Sequence, residues 1–212
     1  MNAVDSEHKK NLQNDFWRAY QLTKSTADPG HPYSKFGTGD LRTLKEEPES
    51  KGVVTRDELL VFHKKYYSAS NMRLVLYGTD PLPVLRAWAE EKFNGISDLG
   101  TPPPSFKHLP RPWGAAQLGR RLDVVPVKEL MSVEVVWCLP PVLDLYTIKP
   151  LDYLSHLLGH EGKGSILALL RAKGWANELS AGEFIDGSDF AFFRIKATCT
   201  EKGMQRVEVS IV

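Results

Sequence analysis

The sequence predicts an α+β protein of two successive domains, each a mostly antiparallel sheet packed with helices and each incomplete. Three observations predict it. Segments of helical periodicity alternate with short apolar runs that read as strands; the order helix, strand, helix before residue 97 is followed by further strands and helices after residue 118; and a proline-rich stretch without periodicity separates the two. We therefore take 1–96 as one domain, 97–118 as a linker and 119–212 as a second domain. With 212 residues, 42% hydrophobic and 25% charged, the chain has the composition of a globular protein that buries a real core. Its 27 Lys and Arg against 26 Asp and Glu leave a formal charge of +1, which provides no basic field for nucleic acid. No run approaches the roughly 20 apolar residues of a membrane span, and MNAVDSEHKK has no apolar signal-peptide core, so neither membrane insertion nor secretion is expected.

Taken in order, the first element reads as one helix. Asp5 or Ser6 can cap it, and Leu12, Phe16, Ala19 and Thr23 recur with the spacing of one buried face. At roughly 100° per residue, Glu7, Lys10, Asn14 and Trp17 fall on nearly the opposite side. By spacing alone such a stripe is a solvated helix face; the large exposed Trp17 beside polar groups favours a contact surface instead. The two prolines and three glycines between Ala27 and Gly39 require a shaped loop. Thr55 with Glu58 three residues on forms a capping box for a helix running to Tyr67. Met72 to Tyr77 reads as a strand and Pro81 to Phe93 as a helix, closing the first unit near Asn94.

Ser97 to Trp113 holds five prolines and reads as an extended interdomain linker. Beyond it, Arg121 to Val127 and Ser132 to Leu139 read as strands, Pro150 to Leu158 as a helix, His160 to Gly164 as a glycine-rich break, and Ser165 to Ala172 as a helix ended by Gly174. Trp175 to Ser180 and Asp189 to Cys199 complete the strands, the second with Ala191, Phe193, Ile195, Ala197 and Cys199 alternating on one face. Cys138 and Cys199 sit in apolar runs, which suggests buried free thiols and a reducing compartment. The chain reaches Val212 inside an amphipathic stretch without a cap or turn residue, the pattern expected of a piece of a longer chain.

Catalytic motifs are incomplete. His156 and His160 lie four apart with Glu161 beside them, but the zincin pattern needs Glu where Leu157 stands and the inverted HxxEH pattern needs Glu where Gly159 stands. Glu7-His8 would end an HxxEH, but the position three before Glu7 is Val4, which cannot ligate. In GHEGKGS, Gly164 separates Lys163 from Ser165 and a helix precedes the loop, so a phosphate loop is not formed. The segment reads either as an ordinary helix corner or as a helix N-terminus whose neighbouring Glu161 can hold a cationic group. Six scattered histidines support no Ser/His/Asp arrangement.

At NAVDSEHKKNLQND, HPYSKFGTG, GVVTRDELLVFHKKYYSASNM and GHEGKGSILALLRAKGWANEL, in that order, the chain resembles the insulysin branch of the insulinase or pitrilysin family of inverted-motif zinc metallopeptidases. The likeness runs essentially from Asn2 to Val212. It implies that Glu7 is the third zinc ligand, the other two being the histidines of an HxxEH whose glutamate is the general base; in the family that motif lies upstream of the AVDSE glutamate and would precede Met1. It also implies that Lys10, Trp17, Tyr20 and Thr38 line a substrate cleft, Tyr20 standing where phenylalanine is usual. In the second half it makes His156, Gly159, Glu161 and the strand around Leu179 a peptide-anchoring exosite, by strand addition to an exposed edge, with Ala181 where glycine is usual and its methyl crowding an approaching backbone.

The resemblance thus implies part of a zinc metalloendopeptidase that binds one zinc ion and cleaves peptides, with this chain alone inactive and not itself holding the zinc. The competing expectation is a non-catalytic scaffold or peptide-binding member of the same superfamily. Expected partners are peptide substrates, the remaining domains of a longer chain and a homo-oligomer, without nucleic acid or membrane. The expected location is cytoplasmic, with an organellar address left open.

Overall fold

The structure, a computed structural model, describes residues 1–207. It is α+β: among the described residues it has eight α-helices and one three-stranded antiparallel sheet. The chain forms two compact units, one of Met1–His8 with Gly39–Ser105 and the other of Lys9–Thr38 with Phe106 onward. The amphipathic stretch before Val212 lies partly outside the described residues.

The first helix of the sequence reading is two helices. α1 (Asn2–Asn11) ends before Asn14, whose side chain accepts from the Phe16 N–H at 3.0 Å and caps α2 (Asp15–Ser25). A single wheel therefore does not run through both, and the expected buried face is not one: Leu12 is 49% and Phe16 63% exposed. α2 instead buries Lys24. Asp5 is not a cap either; it is buried within α1 and accepts from the Leu41 N–H at 3.0 Å.

In the first unit, Asp40 accepts from the Thr43 N–H at 2.7 Å before a π-helical turn, Arg42–Glu46, that leads into α3 (Glu47–Ser50). α4 (Thr55–Tyr66) and α5 (Leu82–Phe93) fall where expected, but the capping box of α4 is absent, because the Thr55 hydroxyl donates to the Leu44 carbonyl at 2.7 Å. Met72 to Tyr77 is not a strand. A strand needs a neighbour to take its N–H and C=O groups, and no described strand pairs with this one, so Val75 and Tyr77 stand almost fully exposed.

The second unit carries the sheet, in the order β1 (Ser132–Leu139), β3 (Ala191–Cys199), β2 (Ala176–Asp186). Both pairings are antiparallel, and β2 has two register shifts, at Asn177 and between Glu183 and Ile185. Arg121 to Val127, expected as a strand, is held by side chains instead: Asp15 accepts from the N–H groups of Val127 (2.8 Å) and Lys128 (3.0 Å), and Arg18 donates to the Val125 carbonyl. Those backbone donations, Val127's first, hold the Asp15 carboxyl below the usual carboxylate range.

The core is Cys138, Phe190 and Phe192, with Tyr33, Trp113, Val136, Phe184 and Ile185 packed against it. β3 is the central strand, and its first residues Ala191, Phe192 and Phe193 are buried on both faces, so the single buried face expected from alternation understates it. The end of the proline-rich stretch joins this core, with Pro112 fully buried and the Trp113 ring 4.5 Å from Phe192. Both cysteines are free, and burial raises their thiol pKa values. α6 (Pro150–Leu158) and α7 (Ile166–Lys173) pack against β2, and α8 (Glu201–Met204) follows β3.

Candidate functional site: a helix corner against a bulged edge strand

α6 and α7 pack against β2, and the corner that joins them, which carries His156, Gly159 and Glu161, brings Gly159 against Ala181. α6 starts with Pro150 at its first position, preceded by Lys149 in the left-handed region (φ 42°), and anchors itself through buried Leu151. It ends at Gly159, whose N–H bonds to the Ser155 carbonyl at 2.8 Å. A side chain at Gly159 would place its Cβ 2.8 Å from that same carbonyl oxygen and 3.5 Å from the Ala181 nitrogen. Glycine is favoured here by the Ser155 carbonyl at the end of α6, while the approach to β2 is an ordinary van der Waals contact. Past the corner, Ser165 caps α7 by accepting from the Ala168 N–H at 3.1 Å, and Gly174 (φ 69°) ends it in the left-handed conformation.

His156 and His160 are exposed, their rings 5.8 Å apart. Glu161 is exposed but not alone: its Oε2 accepts from Arg171 Nη1 at 3.0 Å. Arg171 also donates from Nε (3.0 Å) and Nη2 (2.9 Å) to the carbonyl of Asn177. Leu179 is buried, so its side chain belongs to the packing and not to a ligand surface. Ala181 is half-buried, against Gly159. Arg171 and Asn177 were not legible as site residues, because no local sequence signal marks the bulge that joins them.

The expected cleft residues sit on α1, α2 and the loop after α2. Trp17 and Tyr20 form an aromatic group with Phe16, Trp17 edge-on to both rings and Phe16 stacked on Tyr20. The loop Ala27–Gly39 folds back on α2: the Gly37 N–H donates to Gln21 Oε1 at 3.2 Å, and a Cβ at Gly37 would lie 3.6 Å from the Tyr20 ring. Deeper in the loop, the Asp28 N–H bonds to the Pro112 carbonyl, buried His31 accepts the Tyr33 N–H through Nδ1, and Tyr33 meets Phe190 and Phe192 edge-on. Lys24 Nζ lies 4.4 Å from the Tyr33 ring centre. Burial lowers the Lys24 pKa and raises that of Tyr33.

Thr38 and Lys10 are exposed. Glu7 is exposed on α1 and makes no hydrogen bond or ion pair among the described residues, so its carboxylate fits the part of one zinc ligand. Among those residues no group of three or more His, Cys, Asp or Glu is placed to hold a metal.

Comparison with known proteins places the chain. Residues 54–211 match the family model of the peptidase M16 inactive domain, and the chain belongs to the peptidase M16 family. Over 98% of its length it is 42% identical to insulin-degrading enzyme of Drosophila melanogaster, and over all of it 42% identical to the A-factor-processing enzyme of Saccharomyces cerevisiae. Insulin-degrading enzyme of Homo sapiens is 40% identical over 98% of the chain. The chain spans about a fifth of the length of these relatives, 21%, 20% and 20% respectively. Its fold superposes on the crystal structure of pitrilysin with a TM-score of 0.89 at 28% identity, covering 98% of this chain and 22% of that one. A peptidase M16 inactive domain from Pseudomonas fluorescens shares the fold at a TM-score of 0.61 and 19% identity, over 99% of this chain and 48% of that one.

Proposed function

We propose that the chain is part of a zinc metalloendopeptidase that hydrolyses peptides, and that it supplies the third zinc ligand and a peptide-anchoring exosite across two successive domains, 1–96 and 119–212. The observation that carries this reading is the exposed, unpartnered Glu7 carboxylate in a chain 42% identical over nearly its whole length to an insulin-degrading enzyme. Zinc, when bound, supplies Lewis acidity for attack by water on the scissile carbonyl. In this chain Glu7 would be one ligand, and the histidines and general base of HxxEH would come from outside Met1–Val212. Lys10, Trp17, Tyr20 and Thr38 line the cleft, Trp17 and Tyr20 offering an apolar wall with one hydroxyl. His156, Gly159, Glu161 and the β2 edge beside Leu179 and Ala181 hold a substrate segment away from the zinc.

On this reading the 212-residue chain by itself does not hydrolyse peptides, because one carboxylate cannot complete a catalytic zinc site. Zinc-dependent cleavage of a quenched peptide by the purified chain, abolished by a chelator and by Glu7→Gln, would overturn it. Placement in the cytoplasm agrees with the two free cysteines. Among the described residues no helix is long and apolar enough to cross a membrane. An Arabidopsis thaliana relative, 39% identical, carries a peroxisomal designation, so we keep an organellar address as the alternative.

A second reading, a non-catalytic peptide-binding or scaffold member, is favoured by the match of residues 54–211 to the inactive domain. It predicts peptide affinity without zinc, weakened by Glu161→Ala, in a parent whose HxxEH is interrupted.

A further inference from the structure

The corner between α6 and α7 does more than expose a carboxylate. β2 carries a bulge at Asn177: Ala176 pairs with Cys199 and Glu178 with Thr198, while Asn177 has no partner in the ladder. A bulge leaves its extra residue's backbone without ladder partners. Two donors of Arg171, in the last turn of α7, meet the Asn177 carbonyl at 3.0 and 2.9 Å, and the third reaches Glu161 Oε2 at 3.0 Å. The guanidinium is thereby fixed at three points, although its side chain is 47% exposed. Glu161 Oε1 accepts from no described residue.

A carboxylate with both oxygens open pairs with a guanidinium in a two-pronged, planar contact, whereas an ammonium is a point donor that needs only one oxygen. Arg171 occupies one of the two. We propose that Arg171 is a specificity-determining residue of this site: by holding Glu161 to the β2 bulge it leaves a single acceptor that selects a primary ammonium of a peptide over a guanidinium. The proposal rests on the peptide-anchoring reading of the corner given above. Arg171 acts through Glu161 and is a positioning residue; a merely structural Arg171 would affect stability and leave the choice of ligand alone.

The test uses the full chain and one fluorescent peptide sequence free of internal Lys and Arg, prepared with three N-termini: free amino, acetylated and guanidinylated. The wild-type chain is expected to bind the free-amino form about three- to fivefold more tightly than the acetylated form, the range of one exposed charge pair, and more tightly than the guanidinylated form, which keeps its charge but is denied the two-pronged contact. In Arg171→Gln, which keeps a donor for the Asn177 carbonyl and frees Glu161, the guanidinylated peptide should equal or exceed the free-amino one. Arg171→Lys, which cannot span both partners, should bring the ratio close to one. A wild-type preference that survives unchanged in both variants overturns the role of Arg171. Absence of any preference between the free-amino and acetylated peptides in wild type overturns the peptide-anchoring reading itself, and the proposal with it.

Discussion

Phe192→Ala tests the packing on which the second unit depends. The Phe192 side chain is fully buried at the start of the central strand, with its ring centre 4.5 Å from Trp113, 5.2 Å from Phe190, 5.4 Å from Tyr33 and 5.6 Å from Phe184. Truncation removes a transfer free energy of about 1.5–3 kcal/mol and leaves a cavity among four rings that cannot all move inward, so the total cost is about 3–5 kcal/mol. With a urea dependence of about 2–3 kcal/mol/M, the unfolding midpoint should fall by about 1–2.5 M. Trp113 fluorescence is the natural probe, because the indole touches the altered site. Phe192→Leu, which fills most of the space, should cost about 1–1.5 kcal/mol. Tyr33 rests on the same ring, so Phe192→Ala should also expose the loop Ala27–Gly39 to limited proteolysis at neutral pH. A loss below about 1.5 kcal/mol for the alanine variant would refute the assignment of Phe192 as the centre of this core.

Other positions give sharper local tests. Asp15 has a folded pKa below its ordinary value, so its contribution is present above about pH 4 and is lost as pH falls through the folded value; urea midpoints of Asp15→Asn should be lower at neutral pH and change less than wild type between pH 7 and pH 3. Lys149 has φ 42°, and its ion pair with Asp152 is long, at 3.9 Å between exposed side chains. Lys149→Asn should therefore stabilise by about 0.5–1 kcal/mol, read as a rise in Tm. Gly159→Ala places a Cβ 2.8 Å from the Ser155 carbonyl oxygen, a backbone atom that cannot turn away. It should cost about 1–3 kcal/mol and weaken binding of free-amino peptides in the same titration that tests Arg171.

Helices with their own start and stop signals were legible in the sequence. Pro150 at the first turn of α6, Ser165 capping α7 and Gly174 ending it are local devices, and those boundaries fall within a residue of expectation. The opening helix was misread because the periodicity of Leu12, Phe16, Ala19 and Thr23 continues across Asn14, whose side chain breaks the helix by capping the next one. Met72 to Tyr77 and Arg121 to Val127 have strand composition, but strand formation depends on a partner the local sequence does not name. Phe192 was missed because alternation assigns one buried face, whereas a central strand covered on both sides buries consecutive residues. At the site, Glu161 was readable as a charge at a helix corner. Its tie to Arg171 was not, since it depends on a bulge created by how β2 and β3 align.

The two irregularities of β2 set a length scale. Between the bulge at Asn177 and the shift after Glu183, only Glu178 to Glu183 keep an uninterrupted register with β3, about 20 Å of regular strand. β2 is an outer strand of the sheet, so an extended peptide laid along its far edge meets a straight ladder only over that run, and the twist at each bulge turns the strand away beyond it. The strand is thus a gauge: peptide residues past the first half dozen gain no further backbone pairing, and affinity should level off with peptide length at that point.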